Sequence, residues 1–100
     1  MRVDIKGVHI DVSDKMREEI ERKLLHLAFA KEMITDLLFT INRDKAYKVE
    51  AQIIFRWGTS AHISTETFDV FEGINTLFDK IDHKVRKEKE KIQEHNTRGQ

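Results

Sequence analysis

The sequence predicts an α+β domain of order β-α-β-β-β-α, a four-stranded sheet with both helices on one face. Three observations lead there. Four short segments, Met1–Lys6, Asp36–Arg43, Tyr47–Trp57 and Ser60–Glu66, carry the alternation or short apolar runs of strands. Two longer segments, Ser13–Ala30 and Asp69–His95, repeat apolar residues at helical spacing. Each helical segment has a single apolar stripe, so each must bury it against the sheet.

In the first strand Val3 and Ile5 point one way and Arg2, Asp4 and Lys6 the other, and Gly7 is expected to end it. Val8 to Val12 leads out in extended form. Ser13 is the N-cap candidate of the first helix, with Asp14 in the first turn to favour the helix dipole. Met16, Ile20, Leu24 and Leu27 then recur at helical spacing to about Ala30. The second strand holds Leu37, Leu38, Phe39 and Ile41. Asn42 to Ala46 makes a hairpin turn without the usual glycine. Val49, Ala51, Ile53 and Phe55 alternate in the third strand, and Trp57-Gly58-Thr59 marks the turn into the fourth. The first helix must cross to a parallel neighbour, and three antiparallel strands follow. The uncovered sheet face carries Lys48, Glu50, Gln52 and Ile54 and is expected to be mostly solvated. One domain over residues 1–95 and a loose tail over 96–100 are the expectation.

Composition narrows the function. The net charge is zero, but residues 1–79 hold 11 basic and 14 acidic side chains, and residues 80–100 hold 7 and 4. The field is polarised along the chain. Without cysteine there is no disulfide, thiol nucleophile or cysteine-based zinc site. No apolar run reaches a bilayer-spanning length and the N-terminus has no secretory segment, so a cytoplasmic location is expected. Phosphate-cradling glycine loops, nucleophile elbows and zinc helices are missing, and no two histidines share a helix at ligand spacing. Neither catalysis, a cofactor, a metal nor a small-molecule substrate is expected. Phe68, Phe71 and Phe78 lie near the apolar face of the second helix and are expected to pack in the core. Tyr47 and Trp57 are expected to anchor the ends of the third strand.

The second helix supplies the functional signal. At about 100° per residue, Ile74, Leu77, Phe78, Ile81, Val85 and Ile92 share one face. Lys80, His83, Lys84, Lys87 and Lys91 share a second face about a third of a turn away. Glu72, Asp79, Asp82 and Glu90 fall away from it. Such a row of cations suits a polyanion such as a nucleic-acid backbone. The competing reading is a solvated, salt-bridged helix face.

Three passages resemble the short hibernation-promoting factor and ribosome-associated inhibitor family. They are Val3-Asp4-Ile5-Lys6-Gly7 through Val12-Ser13-Asp14-Lys15-Met16-Arg17-Glu18, then Val49-Glu50-Ala51-Gln52-Ile53, then Ser64 through Asn75 to Asp79-Lys80-Ile81. The resemblance implies a fold like a double-stranded-RNA-binding domain. It also implies a protein that binds the small ribosomal subunit in the mRNA and tRNA decoding channel and inhibits translation by occlusion in stress or stationary phase. It further implies rRNA contacts from Lys23 and His26 on the first helix and from Lys80, His83, Arg86, Lys87, Lys89 and Lys91 on the second; the stripe itself adds Lys84. His26 and His83 stand where that family usually has lysine or arginine, Phe71 replaces a common tyrosine and Asn75 a common aspartate. Glu88 and Glu90 interrupt the basic tail. With the sequence ending at residue 100, a short form, monomeric off the ribosome, is expected. Two other functions fit the residues: a general double-stranded-RNA-binding module, and a protein-interaction domain using the exposed sheet face.

Overall fold

The computed structural model describes the backbone of residues 1–98 and the side chains of residues 1–91. The elements are β1 (Arg2–Val8), α1 (Asp14–Leu24) continued by a 3-10 segment (Leu25–Ala30), β2 (Ile34–Arg43), β3 (Tyr47–Phe55), β4 (Ser60–Thr67) and α2 (Val70–Arg98). The sheet order is β1-β2-β3-β4, with β1 parallel to β2 and the other neighbours antiparallel. This is the expected order and topology.

Register fixes which face is dry. The rows Val3–Leu37–Ile53–Ala61 and Ile5–Phe39–Ala51–Ile63 lie across all four strands on the covered face. Leu37, Phe39, Ile41, Val49, Ala51, Ile53 and Phe55 are buried there beneath Met16 and Ile20 of α1 and Ile74, Leu77, Phe78, Ile81 and Val85 of α2. The opposite face presents rows such as Lys6–Thr40–Glu50–Ser64, and no polar or charged residue is buried among the described residues. Each buried aliphatic or aromatic side chain here stabilises the fold by about 1.5–3 kcal/mol relative to exposure.

Several boundaries move for physical reasons. Gly7 does not end β1; the strand continues to Val8. A Cβ on Gly7 would collide with the Ile10 carbonyl oxygen, because the chain doubles back through His9, whose φ is 59°. Glycine is required there by close approach, not as a strand breaker. The α-helix stops at Leu24, because Leu24, Leu27 and Ala30 repeat every third residue and a 3-10 turn brings that spacing onto one side. Ser13 caps α1 as expected, its Oγ accepting from the Met16 amide at 3.2 Å. β2 starts earlier, at Ile34, and β3 ends at Phe55, with Trp57 stacked on Phe55 at 5.1 Å. Gly58 turns the chain at φ 93°. α2 runs on to Arg98, beyond His95; residues 99–100 of the expected tail, and the placement of the Ile92 side chain, lie outside the described residues.

One expectation about the core fails. Phe78 is buried and packs on Phe39 at 5.3 Å between ring centroids. Phe68 and Phe71 are exposed instead, at 87% and 37%. Phe68 precedes the helix cap, and Phe71 falls about 80° off the Ile81 azimuth, past the edge of the buried stripe.

Candidate nucleic-acid interface

α2 is longer than the sheet it covers. Its 29 residues span about 43 Å, and the longest dimension of the molecule is 51 Å against 21 and 20 Å for the others. Val85 is its last buried side chain among the described residues. Beyond it Arg86, Lys87, Lys89, Glu90 and Lys91 are all exposed. Glu88 shows where the helix leaves the sheet: it occupies the azimuth of Ile81 and Val85, yet it is a carboxylate.

The nine residues expected to meet rRNA fall on two flanks of α2. Lys80, His83, Lys84, Lys87 and Lys91 form the flank towards the β4 edge, where the Lys80 ammonium donates to the Ser64 carbonyl at 3.1 Å. That bond also blunts an otherwise open strand edge. Lys80, His83, Lys87 and Lys91 are exposed, and the Lys84 side chain is 37% exposed. From Lys80 to Lys91 the row covers about 16 Å, in steps near one helical turn.

The second set lies on the opposite flank, against α1. Lys23, His26 and Arg86 line a groove between α1 with its 3-10 segment and α2, over a floor of Leu27 and Phe78, and share it with Asp79 and Asp82. Arg86 is committed to structure: its Nε donates to Asp82 Oδ2 at 3.0 Å, and its guanidinium sits 4.5 Å from the Phe29 ring centroid. It clasps the 3-10 segment to the helix. Lys89 is exposed one turn further along this flank. Two carboxylates among these cations leave the groove close to neutral.

The β4 flank keeps its charge. Among the described residues, the one carboxylate that engages it is Glu88, with Lys84 Nζ at 3.3 Å and Lys91 Nζ at 3.9 Å from Oε1. Glu88 is shielded, its side chain 14% exposed, and it holds two lysines of the row in place. Sequence reading missed this role, although the break of the apolar spacing at position 88 signals it. A charge-sorted helix face of this kind attracts phosphates along a line and reads no base edges, because ammonium groups act as point charges. No cluster of ligating side chains able to hold a metal occurs among the described residues, and no helix there is long and apolar enough to cross a membrane.

Comparison with known proteins gives the family and the fold. The family profile described as Sigma 54 modulation protein / S30EA ribosomal protein matches residues 3–93. A ribosome hibernation promoting factor of Pseudomonas putida is 31% identical over 94 residues, covering 93% of this chain and 91% of that protein. The one of Azotobacter vinelandii is 32% identical over 93 residues, covering 91% and 85%. In fold, the chain superimposes on a ribosomal subunit interface protein from Coxiella burnetii with a TM-score of 0.82, at 22% identity over 89% of this chain and 98% of that one. The Thermus thermophilus Protein Y N-terminal domain gives a TM-score of 0.76 at 18% identity, covering 87% and 98%.

Proposed function

The chain belongs to the Sigma 54 modulation protein / S30EA ribosomal protein family, and from that premise we propose that it is a ribosome hibernation factor working on the small subunit. It lies in the decoding channel, where mRNA and the A- and P-site tRNAs would sit, and inhibits translation by occupying that space. It acts in the cytoplasm, during stress or stationary phase, as a monomer off the ribosome and without a catalytic step. Lys80, His83, Lys84, Lys87 and Lys91 face rRNA phosphates, and Lys23, His26 and Lys89 add a weaker second line across α2. The observation that carries this reading is the sorting of charge on α2: among the described residues the cations of the β4 flank pair with one shielded carboxylate, Glu88, while Asp79 and Asp82 are turned to the other flank.

Occlusion makes binding exclusive. Small subunits loaded with mRNA and with A- and P-site tRNA should refuse the protein, and the protein, bound first, should refuse them. The test is co-sedimentation at saturating concentrations. Simultaneous full occupancy by both would contradict occlusion even if ribosome binding itself stood.

A further inference from the structure

The far end of α2 carries a second surface of opposite character. Phe68 is 87% exposed and Phe71, three residues on, is 37% exposed. Their exposure is not slack in the chain. The Thr67 hydroxyl donates to the Asp69 carbonyl at 2.7 Å across Phe68, and Asp69 Oδ1 caps the helix by accepting from the Phe71 amide at 3.0 Å. An apolar residue before a helix cap ordinarily packs on the fourth helical residue. Here that residue is Gly73. It has no room for a side chain, since a Cβ there would stand 2.6 Å from Thr67 Oγ1 and 3.0 Å from Val49 Cγ2. Phe68 is thus an exposed ring on a backbone held by hydrogen bonds, with no side chain at the fourth helical position to pack on.

Its electrostatic setting selects the partner. Between Arg56 and Lys80 the chain has no lysine or arginine, but it has Glu66, Asp69, Glu72 and Asp79. Of the cations on the neighbouring strands, Lys48 stands opposite Glu66 in register and pairs with Glu50 at 3.2 Å, and Arg43 lies over the Tyr47 ring at 5.6 Å, which leaves Asp69 and Glu72 as the carboxylates beside the rings. Carboxylates beside the rings repel phosphate, so neither nucleic acid nor an anionic lipid surface suits this end. Ammonium and guanidinium groups gain twice, from the carboxylates and from the faces of the rings. We propose that Phe68 and Phe71, with Asp69 and Glu72, form a docking point for a lysine- and arginine-rich protein segment bearing an apolar residue. The molecule then has two ends of opposite use, a cationic flank for phosphate and an acidic aromatic corner for a basic protein. The inference does not rest on the ribosome reading, because its test uses the free chain, so either can fail alone.

The experiment is an NMR titration of the free protein with a short synthetic peptide of arginines and lysines around one leucine. The expected result is amide shifts concentrated at Thr67–Glu72, with binding weakened roughly threefold or more in Phe68→Ser and retained in Phe68→Trp. Phe68 is 87% exposed, so Phe68→Ser keeps the fold, checked by an unchanged melting temperature. Shifts spread over distant carboxylates such as Glu18 and Asp44, with Phe68→Ser binding like the parent, would overturn the proposal. So would a short single-stranded RNA that shifts the same amides, which would make the rings a base-stacking site. Self-association of the free chain that Phe68→Ser abolishes would make a second copy the occupant and overturn it equally.

Discussion

Lys84 and Glu88 stand one helical turn apart on α2, Nζ 3.3 Å from Oε1, and the same carboxylate oxygen lies 3.9 Å from Lys91. Glu88 therefore occupies the place that a phosphate would take between those two lysines. Binding rRNA there means exchanging one anion for another.

Glu88→Gln should consequently tighten binding to small subunits, by roughly threefold to tenfold at low salt. The loss of affinity with rising salt should also become steeper, since more lysine charge is free to displace counterions. Stability should fall by no more than about 0.5–1 kcal/mol, the worth of two partly exposed ion pairs. Affinity measured over a salt series checks both effects. An unchanged or weaker affinity would mean that Glu88 positions the lysines more than it neutralises them.

Arg86 should behave as a stabilising residue. Arg86→Ala removes the bond to Asp82 and the contact with Phe29, for a loss of about 1–2 kcal/mol in denaturant unfolding. Arg86→Lys should recover only part of it, because an ammonium lacks the planar face that lies on the ring. Lys89→Ala, at an exposed position with no ion pair among the described residues, should stay within about 0.5 kcal/mol. Equal losses for the alanine variants would remove the clasp from the account.

Much of this is legible in the residues. Alternation at Val49, Ala51, Ile53 and Phe55 identifies a strand with one dry face, and Ser13 announces the helix it caps. The angular sorting on α2 is readable at 100° per residue, because a helix position sets its azimuth. What each azimuth faces is not local. The resemblance implies one set of basic residues, yet α1 packs so that Lys23 and His26 share a groove with Arg86, while Lys80, His83, Lys87 and Lys91, with the Lys84 that the stripe adds, lie on the other flank of α2. Likewise the need for Gly7 depends on where Ile10 returns, and the exposure of Phe68 depends on the space around Gly73. Such contacts belong to the assembled fold.

Gly73→Ala tests the close packing that orients α2. The added methyl would meet Thr67 Oγ1 at 2.6 Å and Val49 Cγ2 at 3.0 Å, so β3 and β4 or the helix must shift. Thermal unfolding should show a loss of about 1–3 kcal/mol, despite the better helix propensity of alanine. A stabilised variant would show that α2 sits less tightly on the sheet than the geometry states.

The proposed ribosome-binding surface is the β4 flank of α2. It is tested most directly by reversing Lys84, Lys87 and Lys91 together to glutamate and measuring small-subunit binding beside thermal melting. Lys87 is exposed and should cost little, whereas reversing Lys84 and Lys91 removes both pairs to Glu88 and sets like charges beside it, so the triple variant should lose about 1–2 kcal/mol in all and still fold. Each change also turns an attraction to phosphate into a repulsion. The expected variant melts cooperatively as a folded domain, somewhat below the parent, and no longer co-sediments with small subunits. A variant that folds and binds as tightly as the parent would contradict the proposal, and the row of lysines would then be a solvated helix face.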